Sequence, residues 1–166
     1  IAAQRLTENA VVYDIGAGTG SVSVEAALSG TGIRVYAVEK NPEAVSLICQ
    51  NRKKFRTDGI RVVSGKAPEA LEDLEAPTHV FIGGSSGNLK EILRTVLDRS
   101  PEARIVVNAI SLETVSEAME AAEEGLLRDA QITQIMASRS RKLGRYHMMT
   151  GQNPVYIISA GGRSDV

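Results

Sequence analysis

Cysteine and tryptophan are nearly absent from this chain of 166 residues, which has one cysteine, no tryptophan and 4% aromatic residues. The single cysteine, Cys49, excludes an internal disulfide framework and a cysteine-rich zinc site. No apolar run approaches the ~20 residues that span a bilayer, and the first residues do not resemble a signal peptide. We therefore expect a cytoplasmic protein with no membrane partner.

An excess of one charge is also lacking, since 19 Lys and Arg residues stand against 20 Asp and Glu residues. Hydrophobic residues at 43% and charged residues at 23% are ordinary globular values, which excludes a disordered or fibrous protein. A chain of this length is expected to form a single domain, here residues 1–166. Because the chain begins at Ile1 rather than Met, we expect a short N-terminal piece to be missing.

Basic residues are concentrated near the C-terminus. From Ala130 onward there are five basic residues and one acidic residue, a net charge of +4, whereas the preceding part has a net charge of -5. Four of the five, Arg139, Arg141, Lys142 and Arg145, lie within seven residues. This segment is either a binding site for an anionic partner or a solvated loop.

Short apolar runs alternate with helical patterns along the chain. The predicted strands cover residues 11–15, 34–38, 60–64, 79–82, 104–108, 131–137 and 155–160. The predicted helices cover residues 22–28, 43–54, 68–74, 89–97 and 112–126. This order predicts an α/β fold with an open, mostly parallel sheet of seven strands and helices on both faces. The last two strands have no helix between them, so we expect them to pair antiparallel.

A glycine-rich turn, DIGAGTG, follows the first predicted strand. The dinucleotide-binding fingerprint needs glycines at relative positions 1, 3 and 6, but here the third glycine, Gly20, comes one residue early. This Gly-x-Gly-x-Gly form with an acid two residues before it resembles motif I of the class I S-adenosylmethionine (SAM) methyltransferases, which have a Rossmann-like fold. The resemblance implies SAM as the cofactor. The residues of the turn that would bind it are Asp14, Gly16, Ala17, Gly18, Thr19 and Gly20.

A second acid, Glu39, follows the second predicted strand, 23 residues after Gly16. Nucleotide-binding α/β folds place a carboxylate there to accept hydrogen bonds from ribose hydroxyls. The alternative is a surface acid paired with Lys40. Lys66 and Ala67 follow the third strand, where the methyltransferase fold places residues that contact adenine. We therefore expect all four residues to take part in cofactor binding.

Five longer stretches are more restrictive than the glycine turn. They are 14–25 (DIGAGTGSVSVE), 36–44 (YAVEKNPEA), 81–88 (FIGGSSGN), 107–114 (VNAISLET) and 141–155 (RKLGRYHMMTGQNPV). Together they resemble the decarboxylating precorrin methyltransferases of cobalamin biosynthesis. The resemblance implies methylation of carbon-15 of precorrin-6B or cobalt-precorrin-6B, with loss of carbon dioxide from the carbon-12 acetate.

The same resemblance has implications for assembly and for the chain ends. It suggests a homotetramer, and it leaves open whether this chain is a free enzyme or half of a fusion with a carbon-5 precorrin methyltransferase. Members of the family have a segment before the first strand with a threonine near the cofactor, and this sequence starts too late to contain it.

A precorrin carries many carboxylates, so its binding site needs cations, and arginine can hold a carboxylate with two parallel hydrogen bonds. The basic segment between the last two strands is where this sequence gathers them. We expect the substrate to be bound by Gly83, Gly84, Ser85, Asn108, Arg139, Arg141, Arg145, Tyr146 and His147.

Two other functions stay open: a SAM-dependent methyltransferase for another substrate, such as tRNA or a protein carboxylate, and a non-catalytic nucleotide-sensing Rossmann module. The pI near 6.2 and the scarcity of aromatic residues argue against a nucleic-acid partner. Two histidines and one cysteine offer no cluster of metal ligands, so no metal is expected. The sequence identifies no residue that assists decarboxylation, and the catalytic residues are unknown.

Overall fold

The computed structural model describes residues 1–162, so residues 163–166, with Arg163 and Asp165 of the C-terminal charge count, lie outside it. The strands are β1 (Val11–Ile15), β2 (Arg34–Glu39), β3 (Ile60–Ser64), β4 (His79–Ile82), β5 (Arg104–Ala109), β6 (Gln131–Ile135), β7 (Ser138–Leu143), β8 (Tyr146–Gly151) and β9 (Val155–Ala160). The α-helices are α1 (Ser21–Leu28), α2 (Pro42–Lys54), α3 (Leu89–Arg99) and α4 (Leu112–Glu123). Within the described range, none of these helices has the length and apolar character needed to cross a bilayer.

Seven strands form one sheet in the order β3-β2-β1-β4-β5-β9-β6. The pairs among β1 to β5 are parallel, whereas β9 is antiparallel to both β5 and β6. The carboxyl ends of β1 to β6 therefore lie at one edge of the sheet, which we call the carboxyl edge, and β9 begins there. The predicted α/β fold and the antiparallel pairing of β9 are confirmed.

The core consists of two apolar clusters, one on each face of the sheet. Successive side chains of β1 point to opposite faces, with Val11, Tyr13 and Ile15 in one apolar cluster and Val12 in the other. The first cluster contains residues of α3 and α4, and the second contains residues of α1 and α2. The helical residues in these clusters are Leu89, Ile92, Leu93, Val96, Ala118 and Ala121 on one face and Val24, Ala26 and Ile48 on the other.

The connection between β6 and β9 differs from the prediction. The strand predicted over residues 131–137 ends at Ile135, and the next residues form β7 and β8, which pair as a separate antiparallel hairpin. The sequences of the two hairpin strands, SRSRKL and YHMMTG, contain no apolar run of the length that marks a buried strand. Both strands are exposed along their whole length. The hairpin turns at Gly144-Arg145, where Gly144 has a φ of 61°, the left-handed conformation that two-residue hairpin turns require.

Two smaller predictions also need correction. The helix predicted over residues 68–74 is a single 3-10 turn, Glu69–Leu71. The helix predicted over residues 112–126 ends at Glu123, because Gly125 has a φ of 80°, a backbone conformation that does not continue an α-helix.

Candidate active site

A pocket at the carboxyl edge, which we call the glycine-loop pocket, collects residues that follow four neighbouring strands. They are Ile15 and Gly16 from β1, Val38, Glu39 and Lys40 from β2, Gly65, Lys66 and Ala67 after β3, and Gly84, Ser85, Ser86 and Ile92 after β4. Seven of these residues were predicted to bind cofactor or substrate. The other five, Ile15, Val38, Gly65, Ser86 and Ile92, were not among the predicted site residues. Apolar residues in a strand or on a helix face, such as Ile15, Val38 and Ile92, indicate a core rather than a ligand.

The glycine loop that follows β1 is shaped by its three glycines. Gly16, Gly18 and Gly20 have φ values of 72°, 57° and 74°, which side chains rarely allow. A Cβ atom on Gly16 would lie 2.7 Å from the amide nitrogen of Gly84, so the glycine loop and the β4–α3 loop are in direct contact. The amide of Ala17 also donates to Val38 O at 3.1 Å, which fixes the loop against the end of β2.

Glu39 lies at the centre of a set of backbone donors. Its Oε2 accepts a hydrogen bond from the amide of Gly18 at 2.9 Å, and its Oε1 accepts from the amides of Lys40 and Asn41 at 2.9 Å each. Asn41 also caps α2, since its side chain accepts from the amide of Glu43. A carboxylate has about four lone-pair sites, so Glu39 is held in place and still has room for a further donor such as a hydroxyl.

Two lysines connect the ends of β2 and β3 to the β4–α3 loop. Lys40 Nζ donates to Ser86 Oγ at 2.9 Å, so in the structure the Lys40 ammonium is bonded to the β4–α3 loop and only the Lys40 backbone amide donates to Glu39. When the Asn88 amide is oriented to satisfy both of its polar atoms, its oxygen accepts from Lys66 Nζ at 3.0 Å. The two lysines therefore restrain one wall of the glycine-loop pocket.

Asp14 lies beneath the glycine loop, and it is not among the residues that line the pocket. Its side chain is buried, Oδ2 accepts a hydrogen bond from Ser23 Oγ, and Oδ1 has no partner. Burial raises the pKa of the Asp14 carboxyl to about 6, although the bond from Ser23 acts in the opposite direction. Asp14 thus joins β1 to α1, and its contact with a cofactor stays a prediction.

The predicted cationic residues lie at the same edge of the sheet but not in the pocket. The hairpin of β7 and β8 extends from the carboxyl ends of β6 and the start of β9. Side chains alternate along a strand, so Arg139 and Arg141 share one face of the hairpin and Lys142 lies on the other, opposite His147. Arg145, in the turn, lies over the Tyr146 ring at 5.1 Å and donates to its hydroxyl at 2.8 Å.

The remaining predicted residues lie at or just beyond the carboxyl ends of β1, β4 and β5. Gly83 donates from its amide to Ile15 O at 2.9 Å, which brings the end of β4 beside the end of β1. Asn108 is half-buried near the end of β5 and pairs with Ile157 of β9. Thr19 is exposed in the glycine loop, and its carbonyl accepts a hydrogen bond from Asn51 Nδ2 at 2.8 Å.

The strand order, the glycine loop after β1 and the acid after β2 together define a class I SAM-dependent methyltransferase fold. A SAM-dependent O-methyltransferase from Thermotoga maritima shares this fold with a TM-score of 0.72 at 13% identity, over 99% of this chain and 64% of that chain. A sequence model of the precorrin methyltransferase domain matches residues 1–160, and the chain belongs to this family. The family resemblance inferred from the sequence is therefore confirmed.

Several relatives have closely similar sequences or structures. A probable cobalt-precorrin-6B C(15)-methyltransferase (decarboxylating) of Pyrobaculum calidifontis is 44% identical over 158 residues, which is 94% of this chain and 80% of the relative. A protein of the same description from Methanothermobacter thermautotrophicus is 42% identical over 93% of this chain and 80% of the relative. The crystal structure of precorrin-6y C5,15-methyltransferase from Geobacter metallireducens has a TM-score of 0.88 at 39% identity, over 96% and 85% of the two chains.

The buried carboxyl of Asp14 predicts a pH-dependent stability difference. Its folded pKa lies above the usual value, so the charged form destabilises the fold above about pH 6, and this cost disappears below about pH 4. Asp14→Asn should therefore gain unfolding free energy relative to the original protein as the pH rises from 4 to 6, by on the order of 2–3 kcal/mol. Urea unfolding at several pH values measures the difference. Asp73→Asn, at an exposed position, is the control, and a difference for Asp14→Asn that did not change with pH would contradict the assignment.

Proposed function

We propose that this protein is a decarboxylating SAM-dependent methyltransferase of cobalamin biosynthesis. It methylates carbon-15 of precorrin-6B or cobalt-precorrin-6B and releases carbon dioxide from the carbon-12 acetate. The main support is that the precorrin methyltransferase domain matches residues 1–160 and that relatives more than 40% identical are described by this reaction. The arrangement of Glu39 beside the glycine loop supports the choice of cofactor.

The glycine-loop pocket fits SAM in the chemistry of its donors and acceptors. Gly16 lines the pocket and Gly18 has nothing within 4 Å of where a Cβ would stand, so a ligand can approach the backbone of the loop there. Gly20 packs against the Ile48 side chain, and its contact with the cofactor stays a prediction. The Glu39 carboxylate would accept hydrogen bonds from the ribose hydroxyls, as acids after the second strand do in related folds. Lys66 and Ala67 would contact the adenine.

The chain's main contribution to the reaction is positioning. When bound, SAM supplies a methyl group on an electrophilic sulfonium. Holding two reactants in the correct geometry can account for roughly 7–11 kcal/mol of barrier reduction at the limit. Gly83, Gly84, Ser85 and Asn108, which lie at or beyond the ends of β4 and β5, would hold the substrate beside the cofactor.

The hairpin would bind the carboxylates of the substrate. Arg139 and Arg141 share one face, so two carboxylates of the same substrate can be held side by side, each by two parallel hydrogen bonds. Arg145, Tyr146 and His147 lie at the tip of the hairpin, where they would contact the edge of the macrocycle.

Three finer points belong to the same proposal. We infer a homotetramer from the family resemblance, and the edge strand β6, with exposed Ile132 and Ile135, offers surface for a subunit contact. We infer a cytoplasmic location, because Cys49 is an exposed free thiol, which suits a reducing compartment.

The name of the Geobacter relative, which joins C5 and C15 methylation, supports an enzyme that works with, or is fused to, a carbon-5 methyltransferase.

Turnover in vitro tests the proposal directly. The protein is incubated with labelled SAM and either precorrin-6B or cobalt-precorrin-6B, and the product is analysed by mass spectrometry. We expect a product that has gained one methyl group and lost one carbon dioxide. Binding of SAM without turnover of either compound would contradict the proposed reaction, and binding of NAD in place of SAM would instead support a nucleotide-sensing module.

The first prediction from this proposal concerns the ribose. Glu39→Ala should weaken SAM binding by ~1–3 kcal/mol, the usual scale for a hydrogen bond to a charged group, or about 5- to 150-fold in Kd. Calorimetry measures the affinity, and circular dichroism checks that the variant folds. Glu43→Ala, on an exposed residue of the first turn of α2, is the matched control and should bind SAM normally. Equal affinities for the two variants would refute the ribose assignment.

The second prediction concerns the cations of the hairpin. Replacing Arg139 and Arg141 together by Ala should raise the substrate KM at least tenfold while SAM affinity stays within about twofold. Lys142→Ala removes a cation from the opposite face of the hairpin and is the control. If the double variant kept the KM of the original protein, the basic face would not contact the substrate.

A further inference from the structure

The most exposed large apolar side chains in the described part of the chain gather at the carboxyl edge. Met136, Leu112 and Ile110 are 74%, 73% and 69% exposed. Ile110 directly follows β5, Leu112 begins α4, and Met136 directly follows β6. Ile110 and Leu112 are two residues apart in the chain, and large apolar side chains exposed close together are typical of a binding site.

Ile110 and Leu112 are held on rigid elements. β5 is paired on both sides, with β4 through Val107 and with β9 through Ala109. Between the two exposed residues, Ser111 caps α4: its Oγ accepts from the amide of Thr114 at 3.2 Å and lies 3.1 Å from the Thr114 hydroxyl. The backbone on either side is therefore fixed, and the two apolar side chains are exposed from a well-defined corner.

This corner lies next to the proposed methyl-donor site. Ile82 of β4 pairs with Val107 of β5, and neighbouring strands lie about 4.8 Å apart. The Gly83-Gly84 segment, which follows β4, therefore starts close to the end of β5, which Ile110 follows. Gly84 lines the glycine-loop pocket. On the other side of β5, β9 and β6 lead into the hairpin that carries the cations. In the order of the sheet, the apolar corner thus lies between the cofactor pocket and the basic hairpin.

We propose that Ile110 and Leu112 form an apolar platform for one face of the substrate's macrocycle. The inference rests on the proposed function. A tetrapyrrole has extended apolar faces and a rim of carboxylates. At the carboxyl edge, the apolar corner could contact a face of the ring while the basic hairpin binds the carboxylates of its rim. The platform contributes to substrate binding by covering one face of the ring, and it takes no part in the bond changes of the reaction.

The test replaces both platform residues and measures binding as well as turnover. Burial of two apolar side chains against a ligand predicts that the Ile110→Ser, Leu112→Ser double variant raises the precorrin KM by about 10- to 100-fold, with kcat and SAM affinity within about twofold. Ile110→Val with Leu112→Met keeps the apolar surface and should restore the KM. Leu28→Ser is the matched control, because Leu28 is 58% exposed at the far end of α1, where the chain returns to the amino edge of the sheet.

Binding of uroporphyrin, a tetrapyrrole polycarboxylate that the enzyme need not convert, separates the platform from the reaction. The fluorescence of the porphyrin reports binding, and we expect the double Ser variant to bind at least tenfold more weakly than the original protein. Equal binding, or an unchanged precorrin KM, would overturn the platform. A change in mass by light scattering would assign the corner to a subunit contact and overturn it as well. If the original protein binds uroporphyrin through these residues but converts no precorrin, the platform stands and the proposed reaction fails.

Discussion

The contact between Gly16 and Gly84 is the constraint on which the site depends. The two loops lie so close that a single Cβ atom on Gly16 would reach within 2.9 Å of three backbone atoms of Gly84. This approach holds the end of β1 and the end of β4 together, so one pocket receives residues from both. The Lys40–Ser86 hydrogen bond attaches the same loop to the end of β2. The pocket walls are therefore fixed to the sheet rather than to a free loop.

The charged side chains at the carboxyl edge differ in how far they are exposed to solvent. Asp14 is buried under the glycine loop, where desolvation raises its pKa and the Ser23 hydroxyl donates a hydrogen bond to it. Glu39, one layer further out, is held by three backbone amides and opens into the pocket. The arginines of the hairpin are fully outside, where a charge costs little until a ligand covers it. The exposed arginines and the pocket-facing Glu39 can thus interact with a ligand, whereas the buried Asp14 carboxyl costs stability when it is charged.

The parts of the fold that the sequence predicted and the parts that it did not differ in how deeply their strands are buried. The strands of the main sheet were predicted closely, because apolar runs such as the one in β1 are buried on both faces and carry a strong pattern. The hairpin was missed as structure, although its residues were singled out for their charge. Its strands are exposed along their whole length, and their apolar residues, such as Leu143 and Met148, are interspersed with charged ones, so the sequence shows no buried apolar run. The hydrogen bonds between β7 and β8 define them. Ile92 was assigned to a core face of α3, yet that residue also lines the pocket.

The sequence alone determined the order along the chain of the strands in the main sheet, the glycine turn, the acid at Glu39 and the family. These follow from local patterns and spacings, which need no knowledge of what lies opposite. The tertiary structure decided which of these residues meet. It turned Lys40 away from Glu39 toward Ser86, buried Asp14 beneath the loop, and divided Arg141 and Lys142 between opposite faces of a hairpin. It also left Ile110 and Leu112 uncovered beside the pocket. The reason is that strand pairing and loop contacts join residues far apart in the chain, and no local pattern encodes the partner.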